Sequence, residues 1–227
     1  MRRNAPKSEN TLQRLEVVAA GKTWLLDRPG DLESYWEHMT QADLDGDERL
    51  PYWVEPWPAS VPLCGWIAEN SARLAGRPCL DLGCGLGLTA IVAASHGARV
   101  LALDYEPEAL RHARANAALN GLDEERAPLF TAMDWREPGL RPGAFPFIWG
   151  GDILYEKRFF EPVEALLRSC LAPGGEVVVG DPERGVSRPV WEQLRGLGWR
   201  AEQVRMEKVA LMGQNQTVRL WKLTRAR

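Results

Sequence analysis

The sequence predicts an α/β domain, a doubly wound and mostly parallel sheet with helices on both faces and an antiparallel hairpin at its C-terminal end. Three observations carry this. Short apolar runs alternate with helix-period stretches from about Pro51 onward, the pattern of parallel strands joined by right-handed crossovers. A glycine-rich turn, Asp81-Leu-Gly83-Cys84-Gly85-Leu-Gly87, joins the first of those runs to a helix rich in small apolar residues. The last two apolar stretches flank Gly213 with no helix between them.

Taken in order, residues 1 to about 12 read as a polar tail. Arg14–Ala20 and Lys22–Leu26 flank Gly21 as a hairpin, with Val17, Trp24 and Leu26 as candidate buried side chains. Asp31 caps a short helix reaching about Met39, and an acidic loop, Asp43–Arg49, follows. Residues 1–50 therefore form an N-terminal extension, and residues 51–227 the main domain. There Ser60 caps a helix to about Leu74. Strands follow at Cys79–Leu82, Arg99–Leu103, Phe130–Met133 and Phe147–Ile153, and Pro107 opens a helix that Gly121 closes. A helix from Pro162 and the turn Pro173-Gly174-Gly175 lead to a strand at Glu176–Gly180. A helix over Ser187–Leu197 precedes the closing pair, Ala201–Val209 and Thr217–Thr224.

Composition removes several classes. The 227 residues carry a net charge of -3, so no strongly basic balance points to nucleic acid as the main partner. No run approaches the ~18 apolar residues of a membrane span, and Arg2, Arg3 and Lys7 have no apolar stretch behind them to make a secretory signal. The four cysteines, Cys64, Cys79, Cys84 and Cys170, lack metal spacing and read as reduced thiols of a cytoplasmic protein. Asp43-Leu-Asp45-Gly-Asp47 fails as a calcium loop, because Glu48 stands where the sixth-position glycine belongs and Val54 where the bidentate glutamate belongs. His38, His96 and His112 are scattered, so no metal is expected.

The glycine turn carries the chemistry. Glycines there let the chain turn sharply and let a ligand approach bare backbone, beyond the carboxyl ends of parallel strands. The spacing is G-x-G-x-G, and Leu88 stands where a dinucleotide fingerprint would place its last glycine, which disfavours a nicotinamide cofactor. Asp104 ends the next strand, where a carboxylate can accept hydrogen bonds from both hydroxyls of a ribose.

Asp81–Gly87, the acid at Asp104 and the turn Leu171-Ala-Pro-Gly-Gly175 together resemble the class I, seven-strand methyltransferases, which have a Rossmann-like sheet ending in an antiparallel insertion. Further motifs resemble the methyltransferase-like protein-lysine methyltransferases: Pro51-Tyr-Trp-Val-Glu-Pro-Trp57, Asp134-Trp135 after the third strand, and Gly151-Asp152-Ile-Leu-Tyr155 after the fourth. The resemblance implies S-adenosylmethionine as cofactor, with Trp57, Asp81, Gly83, Cys84, Gly85, Gly87, Asp104, Trp135 and Gly151 around it. Cys84 would act through its backbone. It further implies a protein lysine as acceptor, with Asp152 and Tyr155 at the catalytic mouth. A small-molecule or nucleic-acid methyltransferase is one rival. Asp152-Ile-Leu-Tyr155 lacks the paired prolines common in amino-methylating nucleic-acid enzymes, which disfavours the second form of it. A binding module that kept the fold and lost catalysis is the other rival.

Overall fold

The computed structural model describes residues 12–30, 33 and 51–226. The short helix expected from Asp31, the acidic loop Asp43–Arg49 and the N-terminal tail lie outside the described residues, apart from Glu33 and Leu12. The expected hairpin is present as β1 (Gln13–Ala19) and β2 (Lys22–Arg28), paired antiparallel. Its alternation turns Val17, Trp24 and Leu26 inward, and all three are buried.

The main domain opens with a 3-10 turn at Tyr52–Val54, followed by α1 (Ser60–Glu69) and α2 (Ser71–Leu74). These replace the single helix expected over this stretch. Ser60 does not cap it either, since its hydroxyl donates to the Trp57 carbonyl at 2.7 Å. Next come β3 (Pro78–Leu82), α3 (Leu88–Ser95), β4 (Arg99–Asp104), α4 (Pro107–Leu119), β5 (Leu129–Ala132) and β6 (Phe145–Gly151). The chain closes with α5 (Phe160–Cys170), β7 (Leu171–Asp181), α6 (Val190–Gly196), β8 (Trp199–Leu211) and β9 (Gln214–Arg225).

The seven-stranded sheet runs β5-β4-β3-β6-β7-β9-β8. Its first five strands are parallel, and β9 pairs antiparallel with both β7 and β8. Strand order reverses between β3 and β6, the switch point at which such sheets open a crevice beyond their carboxyl ends. The turn at Pro173–Gly175 is taken up inside β7: Leu171 faces Phe145, the next paired residue is Glu176 facing Phe147, and the residues between loop out.

The sheet is covered on both faces. On one side Leu63, Ile67, Ile91, Val92 and Ala113 pack against Val100 and Trp149. On the other, α5 buries Val163, Leu166, Leu167 and Cys170, a helix stripe at three- and four-residue spacing, against Leu80, Ile148 and Val177. Asn116 lies fully buried on the inner stripe of α4 and is satisfied from the N-terminal hairpin. Its Oδ1 accepts from Asp27 N at 2.8 Å, and its Nδ2 donates to Leu86 O of the glycine turn at 3.1 Å. One turn later, Asn120 accepts from Leu25 N and donates to Leu25 O. These side chains supply the hydrogen bonds that a neighbouring strand would give β2.

Candidate active site

A cavity of about 520 Å³ lies over the carboxyl ends of β3, β4, β5 and β6, within the ~300–1,000 Å³ typical of small-molecule sites. Its floor is the glycine turn. Gly85 has φ +49, and a side chain there would approach the Trp53 backbone carbonyl at 3.6 Å, so the loop runs close beneath the 3-10 turn. Cys84 holds the loop to β4 by donating its N–H to Leu103 O at 2.9 Å. Its thiol is buried, which raises its pKa well above the ordinary range and keeps it protonated.

Asp104 faces Gly83–Gly85 from the tip of β4. Its Oδ2 accepts from Gly85 N at 2.8 Å and its Oδ1 from Glu106 N at 3.0 Å. Burial raises this carboxyl's pKa, and the backbone N–H donors oppose the rise. A carboxylate offers about four lone-pair sites, so acceptor capacity remains to meet a ligand on the cavity side.

The wall is aromatic. Tyr52 sits between Trp57 and Tyr155, with ring centroids 5.8 and 5.4 Å away, and Phe159 sits between Tyr155 and Trp135, at 5.4 and 5.2 Å. Trp57 is fixed by its own Nε1, which donates to Tyr52 O at 2.8 Å. Burial pushes the Tyr155 phenol upward, with Glu156 and Asp104 adding to the rise, so it keeps its proton. Phe159 is invisible to sequence reasoning because no motif spacing marks it, and Tyr52 stands in the Pro51–Trp57 motif without a role being read for it. Leu26 of the hairpin also reaches the cavity, so the N-terminal extension supplies part of the wall.

Asp152 follows β6 in a left-handed conformation, φ +55, which aspartate tolerates better than most side chains. Its N–H donates to Gly180 O at 2.7 Å. The side chain, nearly buried, is held by Arg184, whose Nε meets Oδ1 at 2.7 Å and whose Nη2 meets Oδ2 at 2.5 Å. Arg184 comes from the loop after β7, and its guanidinium lies 5.5 Å from the centre of the Trp57 ring. Sequence reasoning gives it no role.

The structure brings Trp57, Gly83, Cys84, Gly85, Asp104, Trp135, Gly151, Asp152 and Tyr155 to one cavity. Asp81 and Gly87, also expected there, stand behind it. Asp81 points into the domain and is 1% exposed, accepting from the Thr89 hydroxyl at 2.6 Å. Gly87 packs against Ala113 and Phe130. Both shape the loop from beneath. Among the described residues no cluster of histidine, cysteine and carboxylate side chains could hold a metal.

The depth of Asp81 has a measurable consequence. Burial pushes its pKa from 3.8 to about 7. The folded state therefore keeps a proton that the unfolded chain has released. The stability this group confers is complete below the unfolded pKa and is lost as pH rises through about 7. From about pH 5.5 to about pH 7.5 the loss is roughly 2 kcal/mol. Urea unfolding of wild type and Asp81→Asn at both pH values should show this drop in the wild type and a flatter profile in the variant. Parallel profiles would place the titration elsewhere.

Comparison with known proteins agrees with this geometry. Residues 79–175 match the methyltransferase domain family. The electron transfer flavoprotein beta subunit lysine methyltransferase of Rattus norvegicus is 35% identical over 136 residues, covering 59% of this chain and 51% of that protein. The ribosomal protein L11 methyltransferase of Azotobacter vinelandii is 38% identical over 138 residues, covering 59% of this chain and 42% of that protein. The chain thus spans about half the length of the curated relatives it matches. In fold, the magnesium protoporphyrin IX methyltransferase of Synechocystis, solved with bound SAM, superposes with a TM-score of 0.61 at 16% identity. That match covers 86% of this chain and 91% of the other. Sheet order, glycine turn and sequence likeness together give this chain the fold of the class I, seven-strand methyltransferases, with residues 79–175 matching a methyltransferase domain, and in sequence it is similar to protein-lysine methyltransferases.

Proposed function

We propose that the protein transfers the methyl group of S-adenosylmethionine to a lysine side chain of a protein. One observation carries the reading: bare loop backbone, an inward carboxylate and an aromatic wall meet in one cavity that ends at Asp152. The cofactor fits this donor set. The spare lone pairs of Asp104 suit the two ribose hydroxyls, and the open backbone of Gly83–Gly85 suits the amino-acid end. Trp135 and Phe159 offer faces for adenine, and Trp57 with Tyr52 offers faces for a cation.

Bound there, S-adenosylmethionine supplies an electrophilic methyl on a sulfonium, so a nitrogen–carbon bond can form as the carbon–sulfur bond breaks, its electron pair staying on sulfur. The residues of the chain have two tasks, to aim the amine and to favour its neutral form. With an ordinary pKa of ~10.4, a free lysine amine at pH 7 costs roughly 4.6 kcal/mol. The aromatic mouth disfavours the ammonium by desolvation. Asp152 accepts an N–H and orients the nitrogen, and Tyr155 shapes the mouth while keeping its own proton. The curated relatives named above carry protein acceptors in their names, which supports a protein here. Four buried free thiols support a cytoplasmic setting.

The test uses labelled cofactor with the purified protein, a cell lysate, and purified electron transfer flavoprotein β subunit as the first single acceptor. Label should appear on protein lysine, and Asp152→Asn should cut its rate at least tenfold. Label confined to RNA or small molecules would overturn the lysine reading.

A further inference from the structure

Asp152 does not face the mouth of the cavity as a lone anion. Both its oxygens are held by the fork of Arg184, at 2.7 and 2.5 Å. The arginine is a built feature of the fold. Its loop leaves β7 through Glu183 in a left-handed turn, and Glu183 pairs with Arg219 on β9. The fully buried Ser187 then locks the loop, its one hydroxyl proton lying within reach of two acceptors, Asp181 Oδ1 at 2.8 Å and Arg184 O at 2.9 Å.

Resting on the methyl-transfer reading above, we propose that Arg184 cancels the charge of Asp152, so that this carboxylate orients the attacking nitrogen without holding it as an ammonium. The reasoning is electrostatic. The nitrogen attacks through its lone pair, which an ammonium lacks. An unpaired carboxylate within ~4–6 Å stabilises the cation and raises its pKa by ~1–3 units. Paired with a guanidinium, the same carboxylate keeps a lone pair on each oxygen to accept an N–H, yet presents no net charge. Arg184 itself also repels a second cation.

The other carboxylates around the mouth are satisfied too, two by cations and two by neutral donors. From the segment before α1, Glu55 pairs with Arg28 at 2.6 Å, and Tyr52 adds its ring. From the segment after β6, Glu156 pairs with Arg158 at 2.6 Å, while Tyr155 keeps its proton. At the ends of β4 and β7, Asp104 and Asp181 take backbone and hydroxyl donors. Arg184 is the side chain that matches Asp152.

The experiment compares wild type, Arg184→Gln and Arg184→Lys in two arms. In the first, kcat and KM for the labelled lysine acceptor are followed against pH. Arg184→Gln should move the limb set by amine deprotonation upward by about one unit. Near neutral pH kcat then falls about tenfold while KM for the acceptor also falls, and the rate returns in alkaline buffer. Arg184→Lys, which keeps the charge, should retain the wild-type limb. An unmoved limb with uniformly lower kcat would reduce Arg184 to a structural strut and overturn the proposal. A variant faster than wild type at every pH would make Arg184 a plug and overturn it equally.

The second arm needs no turnover. With S-adenosylhomocysteine present, n-butylamine is titrated near neutral pH against tryptophan fluorescence. Arg184→Gln should bind the ammonium about tenfold tighter than wild type, and equal binding would overturn the charge argument. Should wild type transfer no methyl to lysine while this arm succeeds, the acceptor assignment fails and the charge-matching role stands. Arg184→Met serves in both arms if the glutamine variant does not fold.

Discussion

Asp104→Asn should weaken S-adenosylhomocysteine binding about 100-fold, measured by calorimetry on protein whose circular dichroism is unchanged. The carboxylate accepts two backbone N–H groups, from Gly85 and Glu106, at 2.8 and 3.0 Å. An asparagine has one oxygen and one amide NH₂, so one of those N–H groups would meet a donor. The same change removes an acceptor for a ribose hydroxyl. Hydrogen bonds to a charged group contribute ~1.5–3 kcal/mol each, and a loss near 3 kcal/mol is about two decades in affinity. Because Gly85 N is held by the group that faces the ligand, loop geometry and affinity should fall together. A change below threefold would show that Asp104 only caps the loop, and the cofactor assignment would lose its main anchor.

Gly87→Ala should lower stability by about 3 kcal/mol, a fall of roughly 10 °C in Tm for a chain of this length. Two costs add. At φ +89 an L side chain crowds its own carbonyl, which costs ~1–2 kcal/mol. The new methyl would also lie 2.9 Å from Ala113 Cβ and 3.3 Å from Phe130 Cε1, where α4 and β5 close behind the loop. Overpacking of this kind costs ~1–3 kcal/mol. Gly121→Ala separates the two. It shares the left-handed backbone, φ +80, but meets nothing within 4 Å, so it should lose only the backbone part. Equal losses in the two variants would mean that the packing contact relaxes freely.

Gly87 also shows what a motif conveys and what it omits. The spacing Gly83-x-Gly85-x-Gly87 announces a sharp loop between a strand and a helix, and the loop is there. It does not say which glycines face the ligand. Gly85 lies on the cavity side, whereas Gly87 is required by α4 and β5 behind it. Asp81 departs from expectation for a related reason. Alternation along β3 turns its carboxylate inward to Thr89, one strand position away from the open end. Trp57 and Trp135 are readable because each stands in a motif that resembles those of the protein-lysine methyltransferases. Phe159 is not, since an isolated aromatic looks the same in any core, and although Tyr52 stands in a motif and Leu26 reads as buried, neither reads as cavity wall.

The fold class, the hairpin, the loop and the acid at Asp104 were legible from the residues alone, because each follows from local causes. Burial periodicity makes strands and helices, and glycine permits the turns between them. The depth of Asp81, the pairing of Asp152 with Arg184 and the docking of β2 on Asn116 and Asn120 were decided only by tertiary structure. Each joins groups from separate elements, through the packing of α3 on β3, the register of β6 beside β7, or the seating of a hairpin on a helix. Spacing along a chain carries no record of such distances, which exist only once the layers have packed.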